Sequence, residues 1–588
     1  MKMKIRRSHI DSSLRGALLT ALLFASHPAS AQTFFGSGGA SNNAAANATN
    51  TGLGYGVLST ITTGINNTGI GFKSLFVNTT GSYNTANGIY ALTANTTGFY
   101  NTADGGYTLF ANTTGSYNTA HGFNALSSNV TGNNNTASGV NSLFTNTTGS
   151  QNTAIGMYSL FANTTGSYNS VNGYYALYSN TTGSYNAANG VYALTSNTTG
   201  NYNTATGSNT LYKNTTGGSN TATGYNALFA NTIGSNNAAH GYYALIANTT
   251  GANNTANGYQ ALGANTSGNG NTAAGASTLQ ANTTGFYNTA SGVLSLAANT
   301  TGNRNTANGV YSLNKNTTGS NNSANGYSTL LSNTTGASNS AEGYNALYSN
   351  TTGSSNAGFG VNTLYSNTTG NYNVGIGYQA GYNATTGSNN ISISNLGLAA
   401  DTGVIRIGTT GTQTSTYIAG ISGVTASGGV AVYINSKGQL GTVTSSRRFK
   451  NDIKSMGNVS DKLLQLRPVT FRYKTADETG AHPLQYGLIA EEVAKVFPDL
   501  VQYDKAGKPF TVYYHLLTPM LLSQLQKEHG RVEVLNTAHK AEIASLKAEL
   551  ASMKQAQAEQ QKLLVKLAAY VQSNRKNTPA QKVNFVQH

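Results

Sequence analysis

Few side chains in the first 400 residues could do chemistry, and their spacing decides which chemistry is open. Between Gln32 and Ala400 there are two carboxylates, Asp104 and Glu342. Glycoside hydrolysis needs a carboxylate pair about 5 to 10 Å apart. The two lie on a chain that repeats every 17 residues, 14 repeats from one another. If each repeat is one coil of a stack, they are about 70 Å apart and cannot cooperate within one chain. His121 and His240 share a repeat position but fall seven repeats apart, which excludes a metal pair. There is no cysteine, hence no disulfide, thiol catalysis or thiolate metal site. No cofactor is expected. What the repeats do carry is tyrosine. Tyr83, Tyr100, Tyr117, Tyr168, Tyr185, Tyr202 and Tyr287 all occupy the third repeat position. Stacking would align them in a broken stripe suited to a glycan or an apolar surface. The same stripe suits padding of the surface or of a protomer contact.

The repeat that positions these residues reads Gly-Ser-Tyr-Asn-Thr-Ala-Asn-Gly-x-x-Ala-Leu-x-x-Asn-Thr-Thr in its best form. Its first glycine recurs from Gly64 to Gly387, giving 20 copies in unbroken phase. The fourth position is Asn from Asn67 to Asn390, and the twelfth is Leu from Leu75 to Leu364. Strict phase over this length means a stack of small units, each burying its apolar side against its neighbours. Two glycines per repeat and the Asn-Thr-Thr-Gly run rule out helices. Each copy is therefore expected to be one coil of a parallel β-solenoid. Asn-Thr-Ala and x-Ala-Leu would be two short strands, joined by turns at the glycines. Stacked Asn residues would form amide ladders between coils. The many Asn-x-Thr triplets recur with this structural period, so they read as turn and ladder residues rather than glycosylation sites.

Such a coil has a thin core of two small residues and one Leu. Association with further copies would bury more. The pattern Asn-x-Ala-x-Gly-x-x-Ala resembles the head repeats of trimeric autotransporter adhesins, which implies β-rolls packed as three. The membrane-anchoring strands of that family are not seen, since the chain ends in a helix and a polar tail.

The N-terminus reads as a secretory signal. Basic Lys2, Lys4, Arg6, Arg7 and Arg15 precede the apolar run Ala17 to Ala25, and Ala29-Ser30-Ala31 fits cleavage before Gln32. A secreted or cell-surface location follows, with no integral membrane anchor. The net charge of +15 suggests nucleic acid until it is located. Between Gln32 and Ala400 four basic residues face two acids, so no cationic track exists and no nucleic-acid partner is expected.

Beyond Gly387 the period ends. Residues 391–444 read as a β-rich neck with short alternating strands. Four blocks follow in order: SSRRFKNDI (Ser445–Ile453), LLQLRPVTFRYK (Leu463–Lys474), QYGLIAEEVAKVFPDLV (Gln485–Val501) and VYYHLLTPMLLSQLQ (Val512–Gln526). Here the chain resembles the endosialidase-type intramolecular chaperone of phage tail spikes, which trimerises a β-rich fibre and then cuts itself free. The resemblance implies a Ser-Lys dyad of Ser445 as nucleophile and Lys450 as base, with Thr444–Ser445 as the scissile bond. Ser446 stands where many members carry Asp, which keeps it open as the nucleophile. A lysine can serve as base when burial lowers its hold on its proton. A spacing of five does not share a helical face, so a turn or strand must present Ser445. Arg447 and Arg448 read as solvated or interfacial, and Glu491 and Glu492 as helix-surface residues.

From Leu522 to Val571 apolar residues alternate in steps of three and four, with polar residues at some core positions, as in a coiled coil. A lone amphipathic helix is the alternative. The expected organisation is a signal peptide (1–31), a leader (32–63), the solenoid (64–390), the neck (391–444), a mixed α/β chaperone and auto-peptidase domain (445–520), a coiled coil (521–572) and a polar tail (573–588). The fold class is mostly β. The expected protein is an exported homotrimeric fibre or adhesin, with a cell-surface or glycan ligand, that acts once in cis on its own chain. The alternative is a receptor- or glycan-binding fibre whose chaperone is inactive and retained.

Overall fold

The computed structural model describes residues 49–575, apart from 422, 436, 478 and 505. The segments expected to be a signal peptide (1–31) and most of the leader, and residues 576–588 of the expected tail, lie outside the described residues. The chain divides after Tyr417 into two compact units.

The first unit is a parallel β-solenoid. Twenty-two strands, from Thr51–Leu53 to Ile405–Ile407, form one sheet in which each pairs with the next. Register follows the repeat: Thr85 lies beside Thr102, Ala86 beside Ala103 and Asn87 beside Asp104. The central Ala points inward and is fully buried while its neighbours face out. The sheet reaches past the 20 counted copies at both ends. Ile391–Ile393 pairs with Ile405–Ile407 at a spacing of 14, which a search at period 17 cannot find.

Each coil contains one strand, not two. The x-Ala-Leu segment is a turn, because Tyr90 and Leu92 take φ of 58° and 51° in the left-handed region. Neighbouring coils still bond there: the Leu92 amide donates to Thr108 O (3.0 Å) and the Ala94 amide to Phe110 O (3.1 Å). A non-glycine residue in this conformation costs about 1–2 kcal/mol. Complete burial of a leucine side chain returns about 1.5–3 kcal/mol. Leu92 is fully buried, as are its counterparts along the stack, so burial wins. The core is as thin as expected: one continuous column of Ala and Leu from Val57 to Leu364.

Two buried Asn ladders flank that column. Asn84 Nδ2 donates to Asn67 Oδ1 (3.1 Å) and to Gly98 O (2.8 Å), and its backbone amide also reaches Asn67 Oδ1. Asn95 Nδ2 donates to Asn78 Oδ1 (2.6 Å) and again to Gly98 O (3.0 Å). Both ladders thus converge on one glycine carbonyl per coil, and each amide has both protons and its oxygen bonded, as buried polar groups require. The first glycine of the repeat is needed for space: a Cβ on Gly81 would strike Asn78 Oδ1 and Gly98 O. The second is needed for conformation, with φ of 140° at Gly88.

Asp401 closes the C-terminal end of the stack. It is buried, accepts from the Leu398 amide (2.9 Å), and takes two bonds from the Arg406 guanidinium (2.6 and 2.7 Å). The Arg406 hydrogen bonds hold its carboxyl below the usual range, against the opposing pull of burial. A carboxyl lowered on folding contributes stability above its unfolded value near 3.9 and loses it as pH falls through its folded value. Asp401→Ala is expected to destabilise the solenoid end by about 2 kcal/mol, less than for a fully buried pair because Arg406 is 33% exposed. Urea unfolding at pH 7 should show the difference, and the gap should narrow as the pH falls below about 4.

The second unit is small and mixed. A 3-10 helix (Gly457–Gln465) leads to the antiparallel pair Val469–Phe471 and Gln485–Gly487, then to a helix (Ala490–Val496). The antiparallel pair Val501–Tyr503 and Pro509–Val512 precedes a helix of 62 residues, Tyr514–Arg575. The core is Val493, Phe497, Leu500, Val501, Val512 and Met520. Met520 in this core and several polar contacts tie the long helix to the rest: the Leu488 amide donates to the Tyr514 hydroxyl, Ser460 and Ser523 share a hydrogen bond, and Lys527 pairs with Asp461. Apart from Met520 and Gln524, the long helix is not buried. Among the described residues no helix is long and apolar enough to cross a membrane.

Candidate active site

Ser445 and Lys450 are brought together by one 3-10 turn. Ser446 is extended (φ −66°, ψ 142°), Arg447–Phe449 form the turn, and Lys450 is extended again. Two backbone bonds close it, Phe449 N to Ser446 O (3.0 Å) and Lys450 N to Arg447 O (3.1 Å). The turn folds the five-residue spacing back so that Lys450 Nζ donates to Ser445 Oγ at 3.2 Å. No other side chain among the described residues bonds to either. Arg448 lies over the Phe449 ring (4.6 Å). Glu492 is held by Arg467 through two bonds, which lower its carboxyl and occupy it structurally, while Glu491 is exposed.

The comparisons with known proteins bear on this turn. Residues 445–502 match the family described as chaperone of endosialidase. The match opens on Ser445 itself, the residue that Lys450 contacts, and runs to the strand Val501–Tyr503. A long β-solenoid followed by this chaperone domain fits a tail-spike-type protein and a trimeric fibre. No curated protein and no solved structure matches the chain. The family supports a self-cleaving peptidase domain. Ser445 and Lys450 are both exposed in the single chain.

On the solenoid, the third-position tyrosines form two stacked runs. Ring centroids are 4.7 Å apart for Tyr83–Tyr100 and 5.3 Å for Tyr100–Tyr117. They are 4.7 Å apart for Tyr168–Tyr185 and 5.0 Å for Tyr185–Tyr202. The rings cover each other's faces, so each run offers edges and hydroxyls along its length and an open face only at its ends. Tyr287 stands apart, against Phe286.

Register also reveals a row that pairwise spacing in the sequence did not bring out. Asp104, His121 and Ser138 share the seventh position on three successive coils, in the order acid, imidazole, hydroxyl. No hydrogen bond joins them. Asp104 instead accepts from Asn87 Nδ2 (3.0 Å), and the Gly139 amide beside Ser138 is already bonded to His121 O. The row has the composition of a triad without its contacts or a free oxyanion donor. Glu342 lies 14 coils along, as the period requires.

Proposed function

We propose that this chain is an exported homotrimeric fibre whose C-terminal chaperone domain drives trimerisation and then releases itself by cutting Thr444–Ser445. The observation that carries the reading is the Lys450–Ser445 contact at the first residue of the family match. The nucleophile sits on the residue whose own amide is the leaving group, so attack is an acyl shift. Ser445 Oγ bonds to the Thr444 carbonyl carbon and gives its proton to Lys450 Nζ. The C–N bond then breaks, and Nζ returns the proton to the departing Ser445 nitrogen. Water hydrolyses the resulting ester, leaving a Thr444 carboxylate and a free Ser445 amine.

Trimerisation supplies what the single chain lacks. Neighbouring chains cover the turn, remove Lys450 from water and pair the apolar seam of the long helix into a coiled coil. The solenoid is the adhesive part. Its tyrosine runs meet a cell-surface or glycan ligand through phenol hydroxyls and the open end faces of Tyr83, Tyr117, Tyr168 and Tyr202. Sedimentation of the chain lacking residues 1–31 is expected to give three copies, and a clean monomer would overturn the reading. A chain ending at Leu522 keeps Met520 but loses the seam, and should neither trimerise nor cut.

A further inference from the structure

The tyrosine runs are not the largest apolar feature of the solenoid. Positions nine, ten and thirteen of the repeat make a second aromatic strip beside the turn that contains the buried Leu. Position thirteen stacks in runs, with Phe144–Phe161 at 5.3 Å, Phe161–Tyr178 at 5.0 Å and Tyr348–Tyr365 at 5.0 Å. Position nine stacks likewise at Tyr225–Tyr242 and Tyr327–Tyr344. Position ten links the two, as where Tyr158 meets Phe161 edge-on at 5.6 Å.

We infer that this strip is the face through which the solenoids of different copies pack on one another. Three observations point to a second copy rather than another occupant. The first is charge. From Phe72 to Tyr378 these three positions hold a single ionisable cation, Lys73, and no acid, whereas both acids and both histidines of the repeats sit at position seven. The second is length. The strip runs about 90 Å along the stack, a reach that a second copy of the same length can match, and extended apolar surface of this kind marks interaction sites. The third is period. Rings fall at these positions on every coil from Phe72 to Tyr382 except two, which hold Ala276, Ser277 and Gln280 and then Val293, Leu294 and Ala297, and an identical solenoid has the same period and length. Position-nine side chains are exposed in the single chain (Phe123 51%, Tyr344 50%), so covering them removes apolar surface from water. This packing also supplements the thin Ala-Leu core.

The inference rests on the trimer proposed above, and the test separates the two. The chain has no cysteine, so single cysteines report cleanly. Val293 (position nine) and Ser291 (position seven) are exposed two residues apart on one coil. In the trimer, Val293→Cys is expected to cross-link between chains with a short bis-maleimide in most of the sample, and to label with a bulky maleimide at least tenfold more slowly than Ser291→Cys. Cross-linking at Ser291→Cys and not at Val293→Cys would move the interface to the face that carries position seven. Equal labelling in a sample that sediments as a trimer would leave the strip uncovered. Either result overturns the inference while the trimer stands. A monomer would overturn both.

Discussion

Ser445→Ala is expected to leave the trimer intact and the chain in one piece. The change removes the oxygen that must bond to the Thr444 carbonyl. Lys450→Ala is expected to do the same by a different route, since it keeps the hydroxyl and removes its partner at 3.2 Å. Loss of a nucleophile or its base typically costs several orders of magnitude in rate. Over the hours of an expression experiment that reads as complete loss of the small fragment on a denaturing gel. Ser446→Ala is the control. Ser446 begins the 3-10 turn through its backbone carbonyl, which alanine retains, so cutting should persist. If Ser446→Ala abolishes the cut and Ser445→Ala does not, the nucleophile is one residue further on.

The second large effect is expected inside the solenoid, at a residue that carries no charge and touches no ligand. Asn203 Nδ2 donates to Asn186 Oδ1 (3.2 Å) and Gly217 O (2.9 Å), and Asn203 Oδ1 accepts from the Asn220 amide and from Asn220 Nδ2 (both 3.1 Å). Asn203→Ala strands the Asn220 backbone amide and one Asn220 Nδ2 proton in a fully buried setting, while the Asn186 oxygen keeps its bond from the backbone amide of residue 203 and Gly217 O keeps its bond from Asn214. Each stranded group costs about 1–3 kcal/mol. The total should be about 3–5 kcal/mol, comparable to truncating a buried leucine such as Leu211 to alanine. Asn189, on the outer face of the strand, is exposed, and Asn189→Ala should change stability by less than about 0.5 kcal/mol. Denaturant unfolding of the two variants side by side measures the contrast. Equal effects would mean that the ladder does not hold the stack together.

The two Asn positions show how much of the fold is legible in the sequence. A residue kept in strict phase over 20 copies must meet its own image above and below, so parallel register and amide ladders follow from counting. The Leu turn does not follow. Leucine is at home in strands and helices, and its left-handed φ is imposed by the closure of the coil, which places the side chain in the central column. The coil at Ile405–Ile407 escapes a count at period 17 because its loop is three residues shorter. The row of Asp104, His121 and Ser138 was there to be counted, but becomes visible only when three successive coils are read together. In the second unit the four blocks in order singled out Ser445 and Lys450, and the two side chains are in contact. The element that joins them, the 3-10 turn Arg447–Phe449, has no sequence signature of its own. Nor do Glu492 and Arg467, whose pairing bridges 25 residues and depends on the fold of the whole unit.

The most direct measurement is the intact mass and N-terminal sequence of the small fragment from the purified, trimeric wild-type chain. Self-release by the Lys450–Ser445 dyad predicts a fragment spanning residues 445–588 that begins at Ser445. A single uncut chain in a sample shown to be trimeric would contradict it, leaving a fibre that keeps its chaperone attached.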